Sequence, residues 1–243
     1  MFNRTNSSNK FKIEAGIRKG DQKKFERFIE GMTPEEIINA YHLGKVAEYK
    51  ILLGMRKPTP GVVEADHILP KSSLKKLIDP EMVTSLETNN KAAYDLVMSM
   101  REDQNGRKQL CMNTLYSDHR RALTSGNSYE ARACRDLLTN TLASGDMEKV
   151  LKQAFILAHP KCSEHIRNSL EIQPKFKSKN SELSDCHKYY KGGYDQYVSE
   201  CRKKKLIDQN QTNDLKDWVK EEKYLDTSAV EYKEIEKVKQ CQG

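Results

Sequence analysis

Only two short apolar stretches in this 243-residue chain read as extended rather than helical, and each runs into an Asp-His pair. The first is built on Val62 and Val63, leads through Glu64 and Ala65 to Asp66-His67, and is followed by Pro70, which disfavours helix at Leu69. The second, QLCMNTLY, leads to Asp118-His119-Arg120-Arg121 at what reads as a helix start. With so little extended sequence, any sheet is small and the rest of the chain must cover it with helices. Composition agrees: 37% hydrophobic, 32% charged and few Gly or Pro residues describe a polar, helix-rich soluble chain. The expected fold class is α+β, mainly α with a small β core.

No run approaches the roughly 20 apolar residues that cross a bilayer, and the start MFNRTNSSNKFK lacks the apolar stretch of a secretory signal. The expectation is an intracellular protein, cytoplasmic or nuclear. Cys111, Cys134, Cys162, Cys186, Cys201 and Cys241 lie far apart without a CxxC pair, and so read as free thiols rather than a zinc knuckle or disulfide scaffold. A formal charge of +7 and a pI near 8.9 favour polyanionic partners, DNA or RNA, although lysines spread this widely also serve solubility.

Along the chain, residues 1–10 are expected to be disordered, and 11–57 to form an N-terminal helical segment carrying Phe25, Phe28 and Ile29 at helical spacing. Thr33 is a natural N-cap, Pro34 suits the first helical position, and Ile37, Ile38, Tyr41, Val46 and Tyr49 supply one apolar stripe as far as Gly54. His42 falls within that helix as a packing residue. Residues 58–173 form the central region. Helix breaks are expected at Asp79-Pro80 and around Thr88-Asn89-Asn90, and a helical hairpin turns at Ser144-Gly145-Asp146. A Lys- and Ser-rich linker at 174–181 separates a C-terminal helical region, 182–243, which offers a surface to a protein partner.

The chemistry concentrates in the two Asp-His pairs. A carboxylate is a hard ligand for Mg²⁺ and acceptable to Zn²⁺, while a neutral imidazole can take a proton from water near pH 7. The segment at Asp118-His119 can bring a further ligand from distant sequence. Lys71, beside Pro70, and Arg120 and Arg121, after His119, are suited to phosphate.

ADHILPKSSL resembles the opening strand of HNH (ββα-metal) endonucleases, and MNTLYSDHRRALTSGNSYEARACRDLL is similar to the closing segment of HNH-like nuclease domains of bacterial polymorphic toxins. The resemblance spans about residues 60–145 and implies a small ββα-metal core. It further implies a metal-dependent endonuclease in which His67 is the general base, and Asp66 and His119 hold one divalent metal ion, Mg²⁺ or Zn²⁺. Lys71, Asp118, Arg120 and Arg121 would be phosphate-binding or supporting residues, with Lys71, Arg120 and Arg121 positioning phosphate. The chain departs from the usual pattern in the long spacing between its halves and in lacking an obvious supporting Asn, for which Asn89, Asn90 and Asn113 are candidates. Two other readings stay open: a non-catalytic nucleic-acid-binding protein on a degenerate scaffold of this kind, and a helical protein-interaction protein.

Other features read as structural. His159, Cys162 and His165 are taken as a helix terminus and loop, Arg202 to Lys205 as a solvated helix end, and Tyr189, Tyr190, Tyr194 and Tyr197 as core.

Overall fold

The computed structural model describes residues 32–55, 63–103, 105–169 and 187–238. The expected N-terminal disorder, the helix at Phe25 to Ile29, the linker at 174–181, Cys186 and Cys241 lie outside the described residues.

The first half alternates short helices and strands in the order α1 (Pro34–Tyr41), β1 (Val46–Glu48), α2 (Tyr49–Met55), β2 (Val63–Asp66), α3 (Lys71–Lys76), α4 (Pro80–Asn89), α5 (Lys91–Glu102), β3 (Leu110–Leu115) and α6 (Tyr116–Arg121). Helices then follow one another: α7 (Tyr129–Ala143), α8 (Met147–Ala158), α9 (Pro160–Ser169), α10 (Tyr189–Lys203), α11 (Gln209–Lys220), a 3-10 turn and α12 (Val230–Lys237).

Local chemistry accounts for most boundaries. Thr33 closes a capping box: its hydroxyl accepts from the Glu36 N–H and its own N–H donates to the Glu36 carboxylate. Asp79, Asn90 and Asp146 cap α4, α5 and α8 by accepting first-turn N–H bonds. The hairpin turn is where the sequence puts it, with Gly145 at φ +85° ending α7.

The three strands form one antiparallel sheet in the order β1-β3-β2. β3 is central and every one of its residues is buried. Val63 pairs with Leu115 and Asp66 with Met112, so β2 ends opposite the middle of β3. The two stretches that read as extended are therefore neighbouring strands.

β1 corrects the sequence reading of a single helix from Thr33 to Gly54. The helix stops at His42, whose φ of +52° is left-handed, and Gly44 follows at φ +77°. Only glycine is at ease in that geometry, and a Cβ on Gly44 would also stand 2.8 Å from the Tyr189 carbonyl oxygen. The chain then pairs with β3: Gly44 N–H donates to the Asn113 carbonyl and Asn113 N–H to that of Lys45. Val46 and Tyr49 fit a helical stripe by spacing alone, and long-range pairing with β3 overrides it. His42, expected to pack, is an exposed C-cap.

One large core joins most of these elements, and a smaller cluster of Leu52, Ala65 and Cys111 lies apart from it. The large core runs from Ile37 in α1 through Leu69, Met112 and Phe155 to Tyr194, Trp218 and Ile235. Tyr194 stacks on Phe155 with ring centroids 4.2 Å apart and donates to the Phe155 carbonyl. Tyr189, Tyr190, Tyr194 and Tyr197 are core, as their spacing suggests. Arg202 to Lys205 are exposed at the end of α10, with Lys203 and Lys204 held by Glu200 and Glu48. Cys111, Cys134, Cys162 and Cys201 are buried free thiols. Among the described residues, no helix is long and apolar enough to cross a membrane.

Candidate active site

β2, β3 and α6 are contiguous in space: two antiparallel strands, with the second running directly into a short helix. That arrangement brings the Asp-His segments together. Asp66, at the end of β2, and His119, one turn into α6, face each other with Oδ1 2.9 Å from Nδ1. The other ring nitrogen, Nε2, lies 3.8 Å from Glu64 Oε2. Glu64 and Asp66 reach the same imidazole because residues two apart in a strand leave on one face. Glu64 was not singled out from sequence, yet that period of two was the signal for it.

These groups border an open cavity of about 460 Å³ that also exposes Tyr49, His67, Lys71, Lys75 and Thr124. His67 comes just after β2 ends, where Pro70 has begun to turn the chain. Its Nε2 is 3.3 Å from the Gly106 carbonyl oxygen, and its ring lies against Tyr49 at 4.9 Å between centroids. A carbonyl only accepts, so Nε2 carries the proton and Nδ1 is left as the basic atom. Gly106 sits at φ +67°, and a Cβ there would lie 2.5 Å from Lys71 Cδ and 3.1 Å from His67 Nε2. The bare glycine is what lets its carbonyl approach the imidazole.

The two histidines titrate in opposite directions. Burial pushes His67 down to about 4, so its ring is neutral at pH 7. Burial also opposes charge on His119, but the neighbouring Asp66 and Glu64 carboxylates outweigh it and hold this imidazole above its ordinary value.

The remaining predicted residues divide. Lys71 lines the cavity, its Nζ donating to the Asn105 carbonyl, and Lys75, one helical turn further along α3, joins it there. Arg120 lies over the Tyr116 ring at 4.7 Å, and its Nε is buried without a hydrogen-bond partner. Asp118 and Arg121 turn inward instead. Asp118 is fully buried and accepts from Arg121 Nη2 at 2.7 Å and the Tyr189 hydroxyl at 2.9 Å, with His187 Nε2 at 3.3 Å. Burial alone would raise this carboxyl, but His187 and Arg121 together with the Tyr189 bond keep it below its usual range. Neither Asp118 nor Arg121 is placed to touch a phosphate in the cavity. Successive positions on a helix lie about 100° apart, so His119 and Asp118 cannot serve the same face.

Of the candidate supporting residues, Asn89 bonds Ser85 on exposed α4 and Asn90 caps α5. Asn113 lies in β3 opposite Ala65, buried, with neither side-chain amide atom hydrogen-bonded. His159 is core rather than loop: its ring is 4.8 Å from Tyr190 and 5.2 Å from Tyr224, and burial drives it down to about 3. Cys162 donates to the Tyr224 carbonyl. Neither forms a metal centre with His165, and among the described residues no three His, Cys, Asp or Glu side chains already stand as a metal cage.

No protein-family model, curated protein or solved structure matches this chain. Its chemistry has to be read from the side chains.

The fit to a divalent cation rests on two of them. Asp66 Oδ1 and His119 Nδ1 are 2.9 Å apart, yet Nδ1 makes no well-directed hydrogen bond. Donors each about 2.1 Å from one ion stand about 3 Å apart, so the pair has the spacing of two ligands of a common ion. Glu64 Oε2 is shielded from solvent and has no hydrogen-bond partner. Its nearest cationic group is the His119 ring at 3.8 Å, and a carboxylate oxygen without a hydrogen bond is further satisfied by water or a cation. A hard cation such as Mg²⁺ needs only one or two protein carboxylates and completes its shell with water or phosphate oxygens, which suits an open cavity.

Proposed function

We propose that this protein is a metal-dependent endonuclease of the ββα-metal (HNH-like) kind, hydrolysing phosphodiester bonds of DNA or RNA. The observation that carries the reading is the meeting of two distant segments, Asp66 and His119 at 2.9 Å, beside an imidazole whose Nδ1 is free to accept a proton. Asp66 and His119 would hold one divalent cation, with Glu64 Oε2 3.8 Å from the far ring nitrogen and on the same face as Asp66, where it could accept from a shell water. When bound, that cation supplies neutralisation of charge on the scissile phosphate.

His67 acts as general base. Its neutral imidazole receives the proton of the attacking water at Nδ1, while the Gly106 carbonyl keeps the ring in the required tautomer and orientation. Tyr49 shields one side of that ring from solvent. Lys71 and Lys75 supply positive charge on the cavity wall for the phosphates. The net charge of +7 favours the approach of a polyanion to the whole surface.

The test is incubation of the purified protein with plasmid DNA and with RNA in Mg²⁺, Mn²⁺ or Zn²⁺, beside His67→Ala. Cleavage should require metal and fall by about 10²- to 10⁴-fold in the variant. Undiminished cleavage by His67→Ala overturns the assignment of the base. Salt-sensitive binding without cleavage in any metal would favour a non-catalytic nucleic-acid-binding protein, and no binding even at low salt a helical interaction protein.

A further inference from the structure

Asp118 is the most elaborately satisfied carboxylate near the site, yet it does not face the cavity. Two of its three partners, His187 and Tyr189, come from the turn leading into α10 and from its first residue, roughly 70 residues downstream in sequence. The Tyr189 hydroxyl also accepts the Leu115 N–H at 3.2 Å. One phenol therefore bridges the last residue of β3 and the first turn of α6, the corner from which His119 projects.

α6 needs such support. It has six residues and no side-chain N-cap, and helices this short do not hold themselves in water. Its far end is gripped from α9, where Arg167 donates to the carbonyls of Arg121 and Ala122. Its near end has Tyr189 and His187. His119 lies between these two grips, next in sequence to the residue that the near one holds.

We infer that Tyr189 and His187 are positioning residues of the site: by fixing Asp118 they set the β3–α6 corner, and with it the direction in which His119 meets Asp66. The metal-affinity arm of this inference rests on the reading of Asp66 and His119 as metal ligands. The orientation of His119 does not. Partners that hydrogen-bond a metal ligand directly, when lost, typically weaken metal binding by about 10- to 100-fold; Tyr189 and His187 act one step further out, through Asp118, so the lower end of that range applies, and the C-terminal helices contribute to the site without touching substrate.

Tyr189→Phe tests this in the full chain, because it keeps the ring in the core and removes only the hydroxyl. Mn²⁺ affinity should fall by about 10-fold. kcat should drop at sub-saturating metal with KM for nucleic acid almost unchanged, and excess Mn²⁺ should restore the rate. In the metal-free protein the ring ¹⁵N signals of His119 should move away from their Asp66-paired positions. His187→Gln, which keeps a donor beside Asp118, should stay near wild type in all three readouts. His67→Ala should lose cleavage and still bind Mn²⁺ normally.

Unchanged Mn²⁺ affinity and unchanged His119 signals in Tyr189→Phe, even with a lowered melting temperature, would overturn the inference and leave Tyr189 a packing residue. Should the wild-type protein neither bind Mn²⁺ nor cut nucleic acid, the nuclease reading fails, and the His119 signals in Tyr189→Phe still decide whether this corner sets the imidazole.

Discussion

His67 and His119 share one cavity wall and respond to acid in opposite ways. His67, held near 4 by burial, stays neutral down to that pH, so its ring is in the proton-accepting form across the neutral range. His119, held above its ordinary value by Asp66 and Glu64, must give up its proton before it can bind a cation. As pH falls, His119 is therefore the first to change state, and the proton competes with the metal. Cleavage should decline on the acid side at a midpoint that moves down by up to about one pH unit when free Mn²⁺ is raised tenfold. A midpoint unmoved by metal concentration would assign the acid limb to another group. Both histidines could be picked out from sequence because each follows an Asp at the end of an extended stretch. Their opposite titration could not, because it depends on which neighbours the fold supplies.

At the level of elements, the turn carrying Gly106 matters most. It lies between α5 and β3, and its carbonyl reaches His67 only because a left-handed residue without a Cβ stands there. Gly106→Ala should lower stability by about 1 to 2 kcal/mol in a denaturant titration, and should lower kcat with little change in KM by displacing the imidazole. A raised KM at unchanged kcat would place the turn in substrate binding instead. α10 makes a similarly close approach to the sheet. A Cβ on Gly193 would collide with Met112 Sδ and stand 3.0 Å from the Gly44 carbonyl oxygen, so Gly193→Ala should cost about 1 to 3 kcal/mol and loosen β3. Elements with local signals were legible: the Thr33 cap, the breaks at Pro80 and Gly145, and the strands that become β2 and β3. β1 was not, because nothing in LGKVAEYK outweighs helical spacing until β3 stands beside it. The inward direction of Asp118 was not legible for a related reason: a DHR triplet shows three polar side chains but not which way each faces, and two of the three partners that draw Asp118 inward lie beyond residue 186.

For the molecule as a whole, burial of histidines sets the response to acid. His67 near 4 and His159 near 3 lie below the ordinary value of 6.5. Each contributes stability that is complete above pH 6.5 and is lost as pH falls toward its folded value, because the unfolded chain takes up the proton first. His119 runs the other way, contributing below its unfolded value and losing that contribution as pH rises through the folded one. The His119 contribution is already complete below pH 6.5 and does not offset the other two there, so the melting temperature should drop between pH 6.5 and 4, and His159→Phe should flatten the drop. A melting temperature that is constant over that window would contradict the buried, neutral state of both rings. The sequence also suggests a C-terminal region set apart by a linker, whereas Tyr190, Tyr194 and Trp218 sit in the same core as Met112 and Phe155.

That shared core has a consequence in time. During synthesis β2, β3 and α6 leave the ribosome before α10, so the growing chain holds Asp118 with only Arg121 beside it and no phenol at Leu115. Until residues 187–203 emerge and dock, the corner bearing His119 lacks the bonds that Tyr189 and His187 supply. On the reading proposed here, the active centre is completed late in translation, by a segment that supplies none of its reactive groups.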